Sequence, residues 1–67
     1  MNKLSQKDAA TVATAAAEAD ALVETLRKMV GADDGLLSLH AQDLQSQALA
    51  IQGKLRLIET LTSEAER

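Results

Sequence analysis

Apolar residues recur three and four residues apart through two long segments of the chain, which is the period of one face of an α-helix. The repeating positions of the first segment are Ala9, Val12, Ala16, Ala19, Val23, Leu26 and Val30. Those of the second segment are Leu37, Ala41, Leu44, Ala48, Ile51, Leu55 and Ile58. Two stripes of matching length predict an all-α fold, an antiparallel hairpin of two long amphipathic helices that oligomerises into a helical bundle.

Residues at the ends of the first segment predict where helix one begins and ends. Ser5 followed by Asp8 resembles a capping box, so helix one is expected to begin near Gln6. Gly31 follows the last apolar position and can adopt a left-handed cap conformation. Helix one is therefore predicted to span about residues 6–30.

The segment Gly31-Ala32-Asp33-Asp34-Gly35 reads as the turn between the helices. Asp33 and Asp34 can cap the helix that follows, since carboxylates accept hydrogen bonds from the first amides of a helix. Helix two is expected to span about residues 36–63, and residues 1–67 are expected to form one helical-hairpin domain.

Apolar residues also lie outside the two stripes. Ala15, Leu22 and Met29 lie seven residues apart beside the first stripe and widen it beyond the seam of a two-stranded coiled coil. In the second segment, a separate apolar face is predicted from Leu39, Leu49, Gly53, Leu57 and Leu61. A contiguous exposed apolar face usually marks an interface, so this set is predicted to form the oligomer interface.

Chain length makes association the expected source of additional stability. A chain of 67 residues buries only about 60% of the surface that its unfolded form exposes. Small domains compensate with disulfides, a structural metal or association, and this chain has no cysteine and a single histidine, His40. A homo-oligomer is therefore expected, with no metal and no cofactor.

Charge and composition argue against several classes of function. The net charge is -3 and no residue is aromatic, which disfavours binding to polymeric nucleic acid through phosphate contacts or base stacking. No apolar run reaches membrane-spanning length and no signal peptide is recognisable, so a cytoplasmic protein without membrane contact is expected. No nucleophile with a nearby base can be named, so the chain is not expected to be an enzyme.

Neutral hydrogen-bonding side chains cluster in the first half of helix two and suggest a polar binding site. This group includes Ser38, Gln42 and Gln45, which can bind a polar ligand without requiring opposite charge. Lys54 and Arg56 follow and could supply positive charge for an anionic ligand. An ordinary solvated surface is the alternative interpretation.

The charged residues of helix one and His40 have simpler interpretations. Glu18, Asp20 and Glu24 are expected to form a solvated outer face. His40 is expected to lie at the boundary of the apolar stripe, and a phosphoacceptor role is the alternative.

Several short motifs resemble those of the small phage anti-CBASS sponges. They are Leu4-Ser5, Asp8, the helical run Glu18-Ala19-Asp20-Ala21-Leu22-Val23, and Ser38 followed by Asp43-Leu44-Gln45. The resemblance implies compact helical protomers that assemble into oligomers in the host cytoplasm. It also implies that cyclic di- or trinucleotide signals are sequestered between subunits for immune evasion, with Ser38, Asp43 and Gln45 as the matching site residues. Ala15-Ala16-Ala17 stands where that family's pattern has a lysine.

Three hypotheses for function follow from the sequence. The first is a sponge for cyclic nucleotides, and the second is an adaptor or inhibitor that offers Leu39, Leu49 and Leu57 to a host protein. The third is an RNA-binding dimer, because the hairpin also resembles Rop, the plasmid RNA-loop modulator, in architecture. The acidic residues of helix one argue against this third hypothesis.

Overall fold

The computed structural model describes residues 4–65, with side chains described for residues 4–62. Helix α1 spans Gln6–Val30, helix α2 spans Gly35–Ala65, and the two pack against each other as an antiparallel hairpin. Its extents are 48 × 16 × 12 Å. Since one helix with its side chains is about 10–12 Å across, the hairpin is one helix thick. Both of its broad sides are therefore open.

The first helix has the predicted start and end, but its C-cap differs from the prediction. Ser5 has extended backbone angles, and its Oγ accepts a hydrogen bond of 3.1 Å from the Asp8 amide. Gly31 was expected to be left-handed, and that expectation is wrong, because its φ is -84° and its ψ is 10°. The Gly31 amide donates to the Lys28 carbonyl at 3.1 Å, and the Ala32 amide donates to the Met29 carbonyl at 3.0 Å. These tight bonds close the last turn without a positive φ.

The turn is one residue shorter than predicted because α2 already begins at Gly35. Asp34 caps α2, since its Oδ1 accepts a hydrogen bond of 2.8 Å from the Leu37 amide. Ser38 lies in the first turn of α2, and its hydroxyl donates to the Val30 carbonyl at the end of α1. The two helix ends are thereby tied directly to each other. The other end of α2, at Ala65, lies two residues beyond the predicted one.

Small side chains dominate the interior between the helices. The buried apolar residues of the described chain are Ala16, Ala19, Val23, Leu26, Ala41 and Ala48. Val23 and Leu26 pack with Ala48 in one cluster, and Met29 covers it. Ala19 and Ala48 are 8% and 3% exposed, so two of the most buried positions carry only a methyl group. Because alanine returns little free energy on burial, the hairpin has a weak core of its own.

The face that α2 turns toward α1 is rotated from the predicted one. Leu37, Leu44 and Ile51 were expected in the seam, but they are 42%, 44% and 55% exposed. Instead, polar residues on the other side of Ala41 and Ala48 are partly or fully buried, namely Ser38, Gln45, Gln52 and Thr62. The rotation has a physical cause in hydrogen bonds from Ser38 and Gln52 to α1, which hold the polar edge of α2 against it. The buried part of the first stripe also begins later than predicted, since Ala9 is exposed and Val12 is only partly buried.

Candidate binding surfaces

Three surfaces of the hairpin carry the candidate residues, and the first is polar. This polar flank is defined by Asp20 of α1 with Ser38, Gln45, Gln52 and Arg56 of α2. Gln52 Nε2 donates to Asp20 Oδ1 at 2.6 Å, and an Arg56 guanidinium nitrogen donates to the same oxygen at 2.9 Å. Asp20 was expected on a solvated face, and its side chain is 46% exposed, but its carboxylate also links the two helices.

The pKa of Asp20 is changed by these contacts. The Gln52 hydrogen bond lowers the pKa of Asp20 from its ordinary value of 3.8, and the Arg56 charge and hydrogen bond also lower it. Partial desolvation of the carboxylate acts in the opposite direction and raises the pKa. The net direction is downward, so Asp20 stays ionised and the link persists at neutral pH.

The polar flank contains three of the residues predicted to bind a ligand, and Gln42 lies beside them on the same side of α2. Ser38, Gln42, Gln45 and Arg56 follow one another at spacings that repeat the helix period, so they lie along one side of α2. Two of them already have partners within the chain, since Ser38 donates to Val30 and Arg56 donates to Asp20. Their arrangement is a polar strip rather than a pocket.

Asp43 and Lys54 were predicted with that group, but the helix separates them from it. At about 100° per residue, they lie on the opposite side of α2 from Arg56. Asp43 Oδ2 accepts a hydrogen bond of 3.0 Å from Gln47 Nε2, one turn further along the helix. Asp43, Gln47 and Lys54 are all exposed on this side of α2, and Gln47 also lines a second surface.

This second surface is an apolar groove on the opposite side from the polar flank. The groove is lined by Leu22, Leu26, Leu44, Gln47, Ala48 and Ile51. Leu22 is 48% exposed, comparable to Leu44 and Ile51 across the groove. Large side chains from both helices thus meet here without being covered. The groove was not predicted, because Leu44 and Ile51 were assigned to the seam between the helices. The seven-residue spacing of Leu37, Leu44 and Ile51 was the signal in the sequence that could have indicated it.

The third surface is the outer face, which is the side of α2 away from α1. It contains the residues predicted to form the oligomer interface, Leu39, Leu49, Gly53, Leu57 and Leu61, and all are exposed. A side chain added at Gly53 would meet nothing within 4 Å. The hairpin itself therefore supplies no steric reason for a glycine in the middle of α2. The interface role of this face stays a prediction.

The described part of the chain also bears on metal binding, on His40 and on membrane contact. There, no group of three or more His, Cys, Asp or Glu side chains converges as a metal site. His40, expected at the boundary of the apolar stripe, is exposed. None of the helices in residues 4–65 is long and apolar enough to cross a membrane.

No protein-family model, curated protein or solved structure matches this chain. The three surfaces are therefore interpreted from their own chemistry and geometry.

Proposed function

We propose that this chain is a non-catalytic binding protein that functions as a homo-oligomer. The observation that carries the proposal is the surface left open by the single hairpin. The chain exposes 4990 Å², whereas a compact monomer of 7.1 kDa is expected to expose about 4100 Å². The excess of about 900 Å² is close to the roughly 800 Å² that each partner buries in a standard protein interface.

The composition of that surface supports the same proposal. Nine large aliphatic residues of the described chain are at least 36% exposed, and seven of them lie on two surfaces, the apolar groove and the outer face. Burial of a large aliphatic side chain contributes about 1.5–3 kcal/mol, so covering half-exposed leucines supplies free energy that the alanine-rich interior lacks. Association then completes the core.

Sedimentation equilibrium of the full chain over a range of concentrations tests this proposal. We expect a mass that is a multiple of 7.1 kDa and a helical signal in circular dichroism that weakens on dilution, because folding and association are coupled. A folded species with the mass of one chain throughout the range would refute the proposal.

Sequestration of a cyclic nucleotide is the second candidate function. It is favoured by the polar strip of Ser38, Gln42 and Gln45, which ends at Arg56. A guanidinium has five N–H donors, and Asp20 contacts only one of the Arg56 nitrogens, so the others can bind a phosphate. The resemblance to phage sponges supports the same ligand class.

Calorimetry with cyclic di- and trinucleotides tests this second candidate. Replacing Arg56 by Gln should weaken binding at least about tenfold, because a charged hydrogen bond contributes about 1.5–3 kcal/mol. Replacing exposed Lys28, a cation on helix α1 outside the strip, is the matched control and should have little effect. Absence of heat with the unchanged chain at millimolar ligand would exclude nucleotide sequestration and leave the oligomer proposal intact.

A further inference from the structure

The geometry points to a second copy of this chain as the occupant of the apolar groove, docked antiparallel about a two-fold axis near Gln47. This inference rests on the proposed homo-oligomer and specifies its interface. It differs from the sequence prediction, which placed the interface on the outer face around Leu57.

The two sides of the hairpin differ in whether their side chains already have partners within the chain. On the polar flank, Asp20 binds Gln52 and Arg56, so polar groups of the two helices close that side. On the groove side, Leu22 of α1 and Leu44 and Ile51 of α2 face the same opening and remain about half exposed. A flat partner that is apolar on one side fits this groove, and an identical hairpin has such a side.

Spacing along α2 specifies the register of the second copy. Leu37, Leu44, Ile51 and Ile58 recur every seven residues, and the midpoint of this series lies beside Gln47. A two-fold axis at that level places Leu44 of one copy beside Ile51 of the other, and Leu37 beside Ile58. Each aliphatic side chain then contacts another aliphatic side chain in a layered four-helix core.

Charges at the rim of the groove favour the antiparallel direction. Asp43 and Lys54 lie on the same side of α2, on either side of Gln47 along the chain. In the antiparallel arrangement, Asp43 of each copy comes near Lys54 of the other, giving two reciprocal attractions. In a parallel arrangement, each carboxylate would face its equivalent, and each ammonium likewise, which is repulsive. The rim therefore discriminates between the two directions.

Disulfide trapping tests this arrangement cleanly, because the chain has no cysteine of its own. Single cysteines are introduced by Gln47→Cys, His40→Cys and Lys54→Cys, at positions that are exposed in the hairpin and should not disturb its fold. A residue on a two-fold axis meets its own copy. We therefore expect Gln47→Cys to form about tenfold more covalent dimer than either other variant alone, since a disulfide needs Cα atoms within about 7 Å.

Mixtures of two cysteine variants distinguish an antiparallel pair of hairpins from a parallel pair. Equimolar His40→Cys and Lys54→Cys chains should form the mixed dimer efficiently, because an antiparallel axis near residue 47 brings these two positions together. Efficient dimers of each variant with itself, and few mixed dimers, would establish a parallel pair and overturn the inference. Circular dichroism of each variant verifies that the helical content is retained.

A pair of charge substitutions distinguishes the groove from the outer face. Leu44→Glu should lower the mass of the assembly toward that of one chain, and Leu57→Glu, at a comparably exposed leucine, should leave it unchanged. The reverse result would overturn the groove inference while preserving the proposed oligomer. If the unchanged chain is already monomeric, the proposed function itself fails.

Discussion

Gly53 offers the sharpest test of which surface of α2 would be covered in the proposed assembly. It lies within the long helix α2, where glycine costs about 1 kcal/mol relative to alanine. A Cβ at this position would meet nothing within 4 Å inside the hairpin. If the outer face stays exposed and the groove is the interface, Gly53→Ala should raise the free energy of unfolding by about 1 kcal/mol per chain.

Thermal unfolding followed by circular dichroism measures this effect. For a domain of this size, about 1 kcal/mol corresponds to a rise in Tm of roughly 4–8 °C. The variant and the unchanged chain must be compared at equal concentration, because association makes Tm depend on concentration. Ala50→Gly is a matched control on the same exposed part of α2 and should lower the Tm by a similar amount.

A fall in Tm for Gly53→Ala would refute this reasoning. It would mean that a second chain approaches the backbone at Gly53 too closely for a methyl group, as expected if the outer face is the interface. Loss of the concentration dependence of the Tm would likewise mean that the methyl group blocks association at this face. Only a rise with the concentration dependence retained agrees with docking in the groove.

Two further predictions concern contacts within the hairpin. Asp34→Ala should lower the free energy of unfolding by about 1 kcal/mol, because it removes the cap on the Leu37 amide, whereas Asp33→Ala should have little effect; urea unfolding of both variants measures the difference. Asp20 should stabilise the fold most at pH values above its unfolded-state pKa, and this stability should be lost as the pH falls through its lowered folded pKa. An acid titration should therefore destabilise the unchanged chain more than Asp20→Asn, and equal pH profiles would contradict the role assigned to the carboxylate.

The local signals in the sequence predicted the helices well. Ser5 and Asp34 cap the helices because their side chains accept hydrogen bonds from amides three residues ahead, an interaction that depends only on neighbouring residues. Gly31 was mispredicted because two amides at the end of α1 find carbonyls three residues back, and the chain turns without a left-handed residue. A glycine permits that conformation but does not require it.

Long-range contacts explain what local signals could not predict. A period of three and four residues locates an apolar stripe on α2, but the stripe is wider than the surface that one neighbouring helix covers. Which edge of α2 packs against α1 depends on the hydrogen bond between Gln52 and Asp20, and these residues are 32 positions apart in sequence. Ser38, Gln45 and Gln52 also recur every seven residues, so a polar series was visible beside the apolar one. Their regular spacing was the available signal for the polar flank.

The same polar contacts have a consequence for assembly. By holding one edge of α2 against α1, Gln52 and Arg56 turn Leu44 and Ile51 outward on the other side. The polar bonds add little stability by themselves, since exposed ion pairs contribute only about 0–1 kcal/mol. Their larger effect is to decide which side chains remain uncovered and hence which side of the hairpin can accept a second copy. In the proposed assembly, the polar flank would determine which side of the hairpin meets the second copy, and the apolar groove would supply the free energy of association.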